Sequence, residues 1–104
     1  MRAQIAGFDS TAYGTVGMSA TDFYNSLVWA LDLRLEPGDN RSPLTIGVHS
    51  DTYSSQHTGY DAVASLAQRR QVIIDFLDYA LTHPDVRIVS TRQVIEWMSA
   101  PVAL

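Results

Sequence analysis

Cysteine and lysine are both absent from the 104 residues, so chemistry here rests on carboxylates, hydroxyls, seven arginines and three histidines. Without a thiol there is no disulfide, thiolate zinc site or cysteine nucleophile. Without an amine side chain there is no Schiff base and no P-loop lysine. His49 stands out by position. It follows the alternating run Leu44-Thr45-Ile46-Gly47-Val48, on the face away from the branched apolar residues, and precedes a polar loop. In parallel α/β folds, sites gather at the carboxyl ends of strands, and an imidazole there serves as general acid or base near neutral pH. The alternative is a histidine satisfied by hydrogen bonds in a loop. His49, Asp51 and His57 also have the donor chemistry of a zinc site, at spacings that arise easily by chance. Tyr53 and Tyr60 offer flat faces for sugar rings, or anchor the loop. No Gly-x-Ser-x-Gly elbow supports a serine hydrolase.

The elements that must position these residues are marked by their caps. Ser19 followed by Asp22 opens a helix in which Phe23, Leu27, Ala30 and Leu31 share a face, stopped at Pro37-Gly38-Asp39-Asn40. Ser65 and Gln68 cap the strongest helix, its face expected from Leu66, Ile73, Phe76, Leu77 and Ala80, with Arg69, Asp75 and Asp78 on other faces. His83-Pro84 ends it. Ser90 to Gln93 caps a short last helix through Val94, Ile95 and Met98, stopped near Pro101. Residues 44–49 and 86–89 read as strands, and residues 4–8 as a short one. Trp29 and Trp97 read as packing residues. Helix and strand alternate, which predicts an α/β fold with parallel strands and a right-handed crossover.

Composition limits the function classes. Hydrophobic residues make up 46% and charged ones 17%, as in a globular domain, and the net charge of −4 argues against a nucleic-acid partner. No apolar run reaches the roughly 18–20 residues of a membrane span. The opening MRAQIAGFDSTAYG lacks the apolar core of a signal peptide.

The ordered set of segments resembles a family. Asn40-Arg41-Ser42-Pro43-Leu44-Thr45-Ile46-Gly47-Val48-His49-Ser50-Asp51 leads, followed by Arg70, then Phe76-Leu77-Asp78-Tyr79-Ala80-Leu81. His83-Pro84-Asp85-Val86 and Gln93-Val94-Ile95-Glu96-Trp97-Met98 complete it. Together, from about residue 19 to 101, they resemble the C-terminal part of polysaccharide deacetylases, the NodB-like, chitin-deacetylase-type carbohydrate esterases. The resemblance implies a distorted (β/α) barrel, of which residues 1–104 would be the C-terminal half. It also implies a divalent metal, often zinc, and a substrate such as chitin or peptidoglycan, an N-acetylated polysaccharide or oligosaccharide. His49 takes the place of the family's general acid, with Asp51 and Tyr53 as substrate-binding residues. Two departures stand out. Gly47 occupies a position usually held by Leu, in the wall of the acetyl pocket. The paired aspartates and the His-x-x-x-His metal motif of the family's N-terminal half do not occur.

The expectation is therefore a chain inactive alone that completes a metal-dependent deacetylase and holds no metal itself. The alternatives are a non-catalytic half-barrel that binds glycan or protein, and an unrelated metal site at His49, Asp51 and His57. Family members are often secreted or associated with the cell envelope. In a half-barrel, Leu44, Ile46, Val48, Val86 and Ile88 would face the helices. Thr45, Gly47, His49, Arg87 and Val89 would line the open side, where Arg87 would need a carboxylate. Unpaired strand edges would favour a homodimer.

Overall fold

The computed structural model describes residues 8–36 and 43–100. A short helical turn, α1 (Phe8–Ser10), runs into a π-helical turn over Thr11–Val16. Gly17 closes it in the left-handed region at φ +73°, where a side chain would be strained. The N–H of Met18 then reaches back to the carbonyl of Ala12 at 2.8 Å. Helix α2 (Ala20–Leu35) starts where Ser19 accepts the N–H of Asp22. Its Phe23, Leu27 and Leu31 recur every four residues and are buried. Helix α3 (Leu66–Leu81) has a complete capping box, with Ser65 and Gln68 each satisfying the other's backbone N–H. Helix α4 (Thr91–Ser99) opens with a second such box on Ser90 and Gln93.

The core lies between α2 and α3. Phe23, Leu27 and Leu31 meet Val72, Phe76 and Ala80 there, and the Tyr79 hydroxyl donates to Asp32 across the pair at 2.6 Å. The N-terminal turn covers one end: Tyr13 stands edge-on to Phe23 at 5.0 Å, with Phe8 at 5.8 Å. Leu44, Ile46 and Val86 lie against this core from outside. Among the described residues, no helix is long and apolar enough to cross a membrane.

This architecture corrects the expected α/β half-barrel: the described residues are 62% helix and contain no strand. Residues 44–49 and 86–89, whose alternation predicts strands, have no regular secondary structure, and no backbone hydrogen bond joins them. Two short parallel strands have too few partners to form a stable sheet. Each instead rests singly on the helices, and Gly47 gives its carbonyl to the Phe8 N–H at 2.7 Å. Among the described residues there is therefore no sheet edge of the kind on which the homodimer expectation rests. Val48 and Ile88, expected to face the helices, are exposed. Arg87 lies in no interior; exposed, it donates to the Pro84 and Val86 carbonyls instead of a carboxylate.

The helices run close to their predicted limits, but two faces differ. Arg69 is fully buried and Leu77 is exposed, because the covered stripe of α3 runs through residues 69, 72, 76 and 80. Trp29, expected to pack, is 65% exposed. Residue 8 begins α1; the rest of the predicted strand 4–8, the stop at 37–40 and Pro101 lie outside the described residues. The two aromatic positions on α2 are expected to respond oppositely to truncation. Phe23→Ala should cost about 3–5 kcal/mol, as for other buried aromatics. Trp29→Ala should change stability by no more than about 0.5 kcal/mol. Urea unfolding of both variants checks the pair.

Candidate acid–base site

The site is assembled around a carboxylate with no exposure to solvent, that of Asp9. A buried charge is tolerated only when hydrogen bonds replace its water, and Asp9 has three. Its Oδ1 accepts the Ser10 N–H at 2.8 Å, and its Oδ2 accepts the His49 N–H at 3.0 Å. The imidazole Nδ1 of His49 lies 3.1 Å from Oδ1, and the Thr52 side chain also favours the charged form. Burial by itself raises the Asp9 pKa. The hydrogen bonds from the His49 backbone and ring, from Ser10 and from Thr52 outweigh it, so the net shift is below the ordinary value of 3.8. Asp9 is thus an ionised acceptor.

That acceptor fixes the role of the ring. Facing a carboxylate, Nδ1 serves as the donor, which leaves Nε2 to exchange protons with another molecule. The His49 side chain is 54% exposed, while its partner is wholly enclosed. An aspartate orienting one imidazole nitrogen and freeing the other is the arrangement of a general acid–base dyad.

His49 also caps the 3₁₀ turn Ser50–Tyr53. Within it Thr52 is buried and Asp51 exposed. The Tyr53 hydroxyl faces inward, closed off from solvent and without a hydrogen-bond partner, as does that of Tyr13. Burial pushes both phenols up. Asp9 raises Tyr53 further, while Tyr13 reaches about 12, with Arg69 pulling it down and Asp9 pushing it up. The polar edge of Tyr53 therefore turns toward the buried carboxylate. Tyr60 packs between Tyr13 and His57, at ring separations of 5.8 and 4.6 Å.

Of the residues singled out by sequence, His49, Asp51 and Tyr53 fall on or beside one turn. His57 lies further along the loop, its ring on Tyr60. Among the described residues, no three His, Asp or Glu form a group able to hold a metal ion. His49, Asp51 and His57 do not constitute such a cluster, and the metal implied by the family resemblance finds no ligand set there. Sequence reasoning missed Asp9, whose only local mark is an acid followed by serine, forty residues from its partner. It also misplaced Arg69. The signal for that residue was its place in the spacing 69, 72, 76, 80, where the other three positions are apolar.

Asp9→Asn should show the electrostatic part of this assembly. With a folded pKa below the unfolded one, the wild-type carboxylate stabilises the protein fully above about pH 4. That contribution is lost as pH falls toward the folded value. The variant should be less stable at neutral pH by about 1–3 kcal/mol, the usual cost of spoiling a buried charged hydrogen-bond set. Its stability should also fall less steeply below pH 4. Equal acid slopes for the two proteins, in unfolding measured from pH 2 to 7, would contradict an ionised Asp9.

Compared with protein-family models, with curated proteins and with solved structures, the chain finds no match in any of the three. Its functional reading rests on the residues and their geometry.

Proposed function

We propose that this chain is the C-terminal part of a metal-dependent polysaccharide deacetylase and that His49 is its general acid. The observation carrying the reading is the Asp9–His49 pair, a half-exposed imidazole held through Nδ1 at 3.1 Å by an enclosed carboxylate. The reaction is hydrolysis of acetamide groups on an N-acetylated glycan such as chitin or peptidoglycan. As the C–N bond of the tetrahedral intermediate breaks, Nε2 of His49 gives its proton to the departing nitrogen. The products are acetate and a free amine on the sugar. Asp9 keeps the ring in one orientation through this transfer. Asp51 offers an exposed carboxylate to sugar hydroxyls, and Tyr53 the face of its ring. The ordered resemblance from residue 40 to 98 supports the same assignment. It depends on these residues and not on a sheet.

The family's paired aspartates and His-x-x-x-His motif are not in this sequence. The share of the reaction assigned to this chain is therefore proton transfer and glycan contact. Purified alone with added zinc, it should release no acetate from chitooligosaccharide; turnover would overturn the assignment as a part. Joined to a segment supplying both motifs, it should be active. His49→Ala should then lower turnover by about 10²–10⁴ fold, the usual share of a general acid, with metal content unchanged. Loss of metal would make His49 a ligand. Unchanged turnover would leave a glycan-binding module; either result overturns the acid role.

A further inference from the structure

The turn that presents His49 is gripped from behind by two neighbouring arginines of α3. Arg69 Nε donates to the Thr52 carbonyl at 2.8 Å, and Arg70 Nε donates to the next carbonyl, that of Tyr53, at 2.9 Å. Arg69 takes further partners from the same loop. Nη1 donates to the Ala64 carbonyl at 2.6 Å and to Asp61 Oδ1 at 2.9 Å, and Nη2 to the His57 carbonyl at 3.1 Å. Its side chain is wholly buried. One guanidinium thus gathers acceptors from residues 52, 57, 61 and 64, using the rigid fork that distinguishes Arg from Lys.

The gripped residues are those that reach the dyad. The Thr52 N–H donates to the His49 carbonyl at 3.1 Å, and the Thr52 side chain helps to keep Asp9 charged. The Tyr53 hydroxyl is enclosed on the Asp9 side. The arginines themselves stand on firm ground. Ser65 and Gln68 close the capping box just before them, and Val72 and Phe76 anchor the following turns in the core. A displacement of the 52–53 carbonyls would carry the Thr52 side chain from Asp9 and the His49 backbone with it.

We propose that Arg69 and Arg70 are positioning residues for His49, holding the consecutive carbonyls of Thr52 and Tyr53 so that the imidazole stays on Asp9. The proposal rests on the reading of His49 as the acid, but its test needs no substrate.

The test follows the His49 ring nitrogens by NMR in protein carrying ¹⁵N-labelled histidine, with His83, beyond the far end of α3, as internal reference. Arg70 is exposed, so Arg70→Ala should fold as wild type by far-ultraviolet circular dichroism. In it the His49 Nδ1 proton should exchange with water about five-fold faster, the factor given by losing one hydrogen bond of ordinary net strength. The His83 signals should not move. Arg70→Lys, which keeps a donor for the carbonyl, should recover at least half of the effect. Arg69→Lys keeps the charge but loses the fork, and should speed exchange more than Arg70→Ala does. Unchanged His49 exchange in Arg70→Ala, or equal changes at His49 and His83, would overturn the proposal. Failure of the glycan experiments would not disturb this result, and failure here would leave those experiments standing.

Discussion

A carboxylate removed from water is the constraint that shapes the functional end of this molecule. Isolated, a buried charge costs more than a small domain can spare, so the chain must bring donors to Asp9 before it can close over it. Those donors come from two places: Ser10 beside it, and the 49–52 turn forty residues on. The same bonds that make the carboxylate tolerable fasten the N-terminal turn to the turn bearing His49. Stability and presentation of the imidazole are one event. If Asp9 is neutralised, the turn loses both its anchor and the group that chooses which ring nitrogen faces outward.

Arg69 solves the opposite problem with the opposite sign. Its enclosed guanidinium meets three carbonyls and the half-exposed carboxylate of Asp61. The loop from residue 50 to 64 has few apolar residues to bury, and the cation supplies the centre that a hydrophobic core would otherwise provide. The two buried charges draw on separate partners except at Thr52. Thr52 belongs to both sets, its side chain on Asp9 and its carbonyl on Arg69, and this makes it the mechanical link between α3 and the dyad. Tyr13 reports the same arrangement, since its hydroxyl is pulled in opposite senses by Arg69 and Asp9.

The helices could be read from the sequence because their signals are local. Ser19, Ser65 and Ser90 each cap a helix through contacts three residues away, and the apolar spacing behind them is kept. The strands could not be settled this way, because a strand is defined by its neighbours. Residues 44–49 and 86–89 have the alternation of strands and lack the pairing that would make them so. For the site, the position of His49 after such a segment drew attention to it for a reason that the fold does not uphold, since the described residues form no sheet. What gives His49 its place is Asp9, a contact without periodicity and beyond the reach of pattern reading. Arg69 failed differently: a charged residue is assigned to solvent by type, although its position in the stripe already argued for burial.

On the proposed reading, the dyad also bounds what these residues would contribute to amide hydrolysis. Breaking an acetamide makes two separate demands: the carbonyl must be polarised as water adds, and the departing nitrogen must receive a proton. A carboxylate-held imidazole would answer the second directly, since the side chain is half exposed and the ring cannot turn away without breaking its Nδ1 contact with Asp9. It does little for the first. The His49 N–H is already committed to Asp9, and the guanidinium of Arg69 is spent on the loop. The residues around His49 are arranged to hold and move a proton, and their remaining polar capacity is turned inward. In the proposed reaction, activation of the carbonyl would therefore come from groups other than these. The division of labour follows from the hydrogen bonds themselves, because each donor used to make the buried charges tolerable is a donor withdrawn from the substrate.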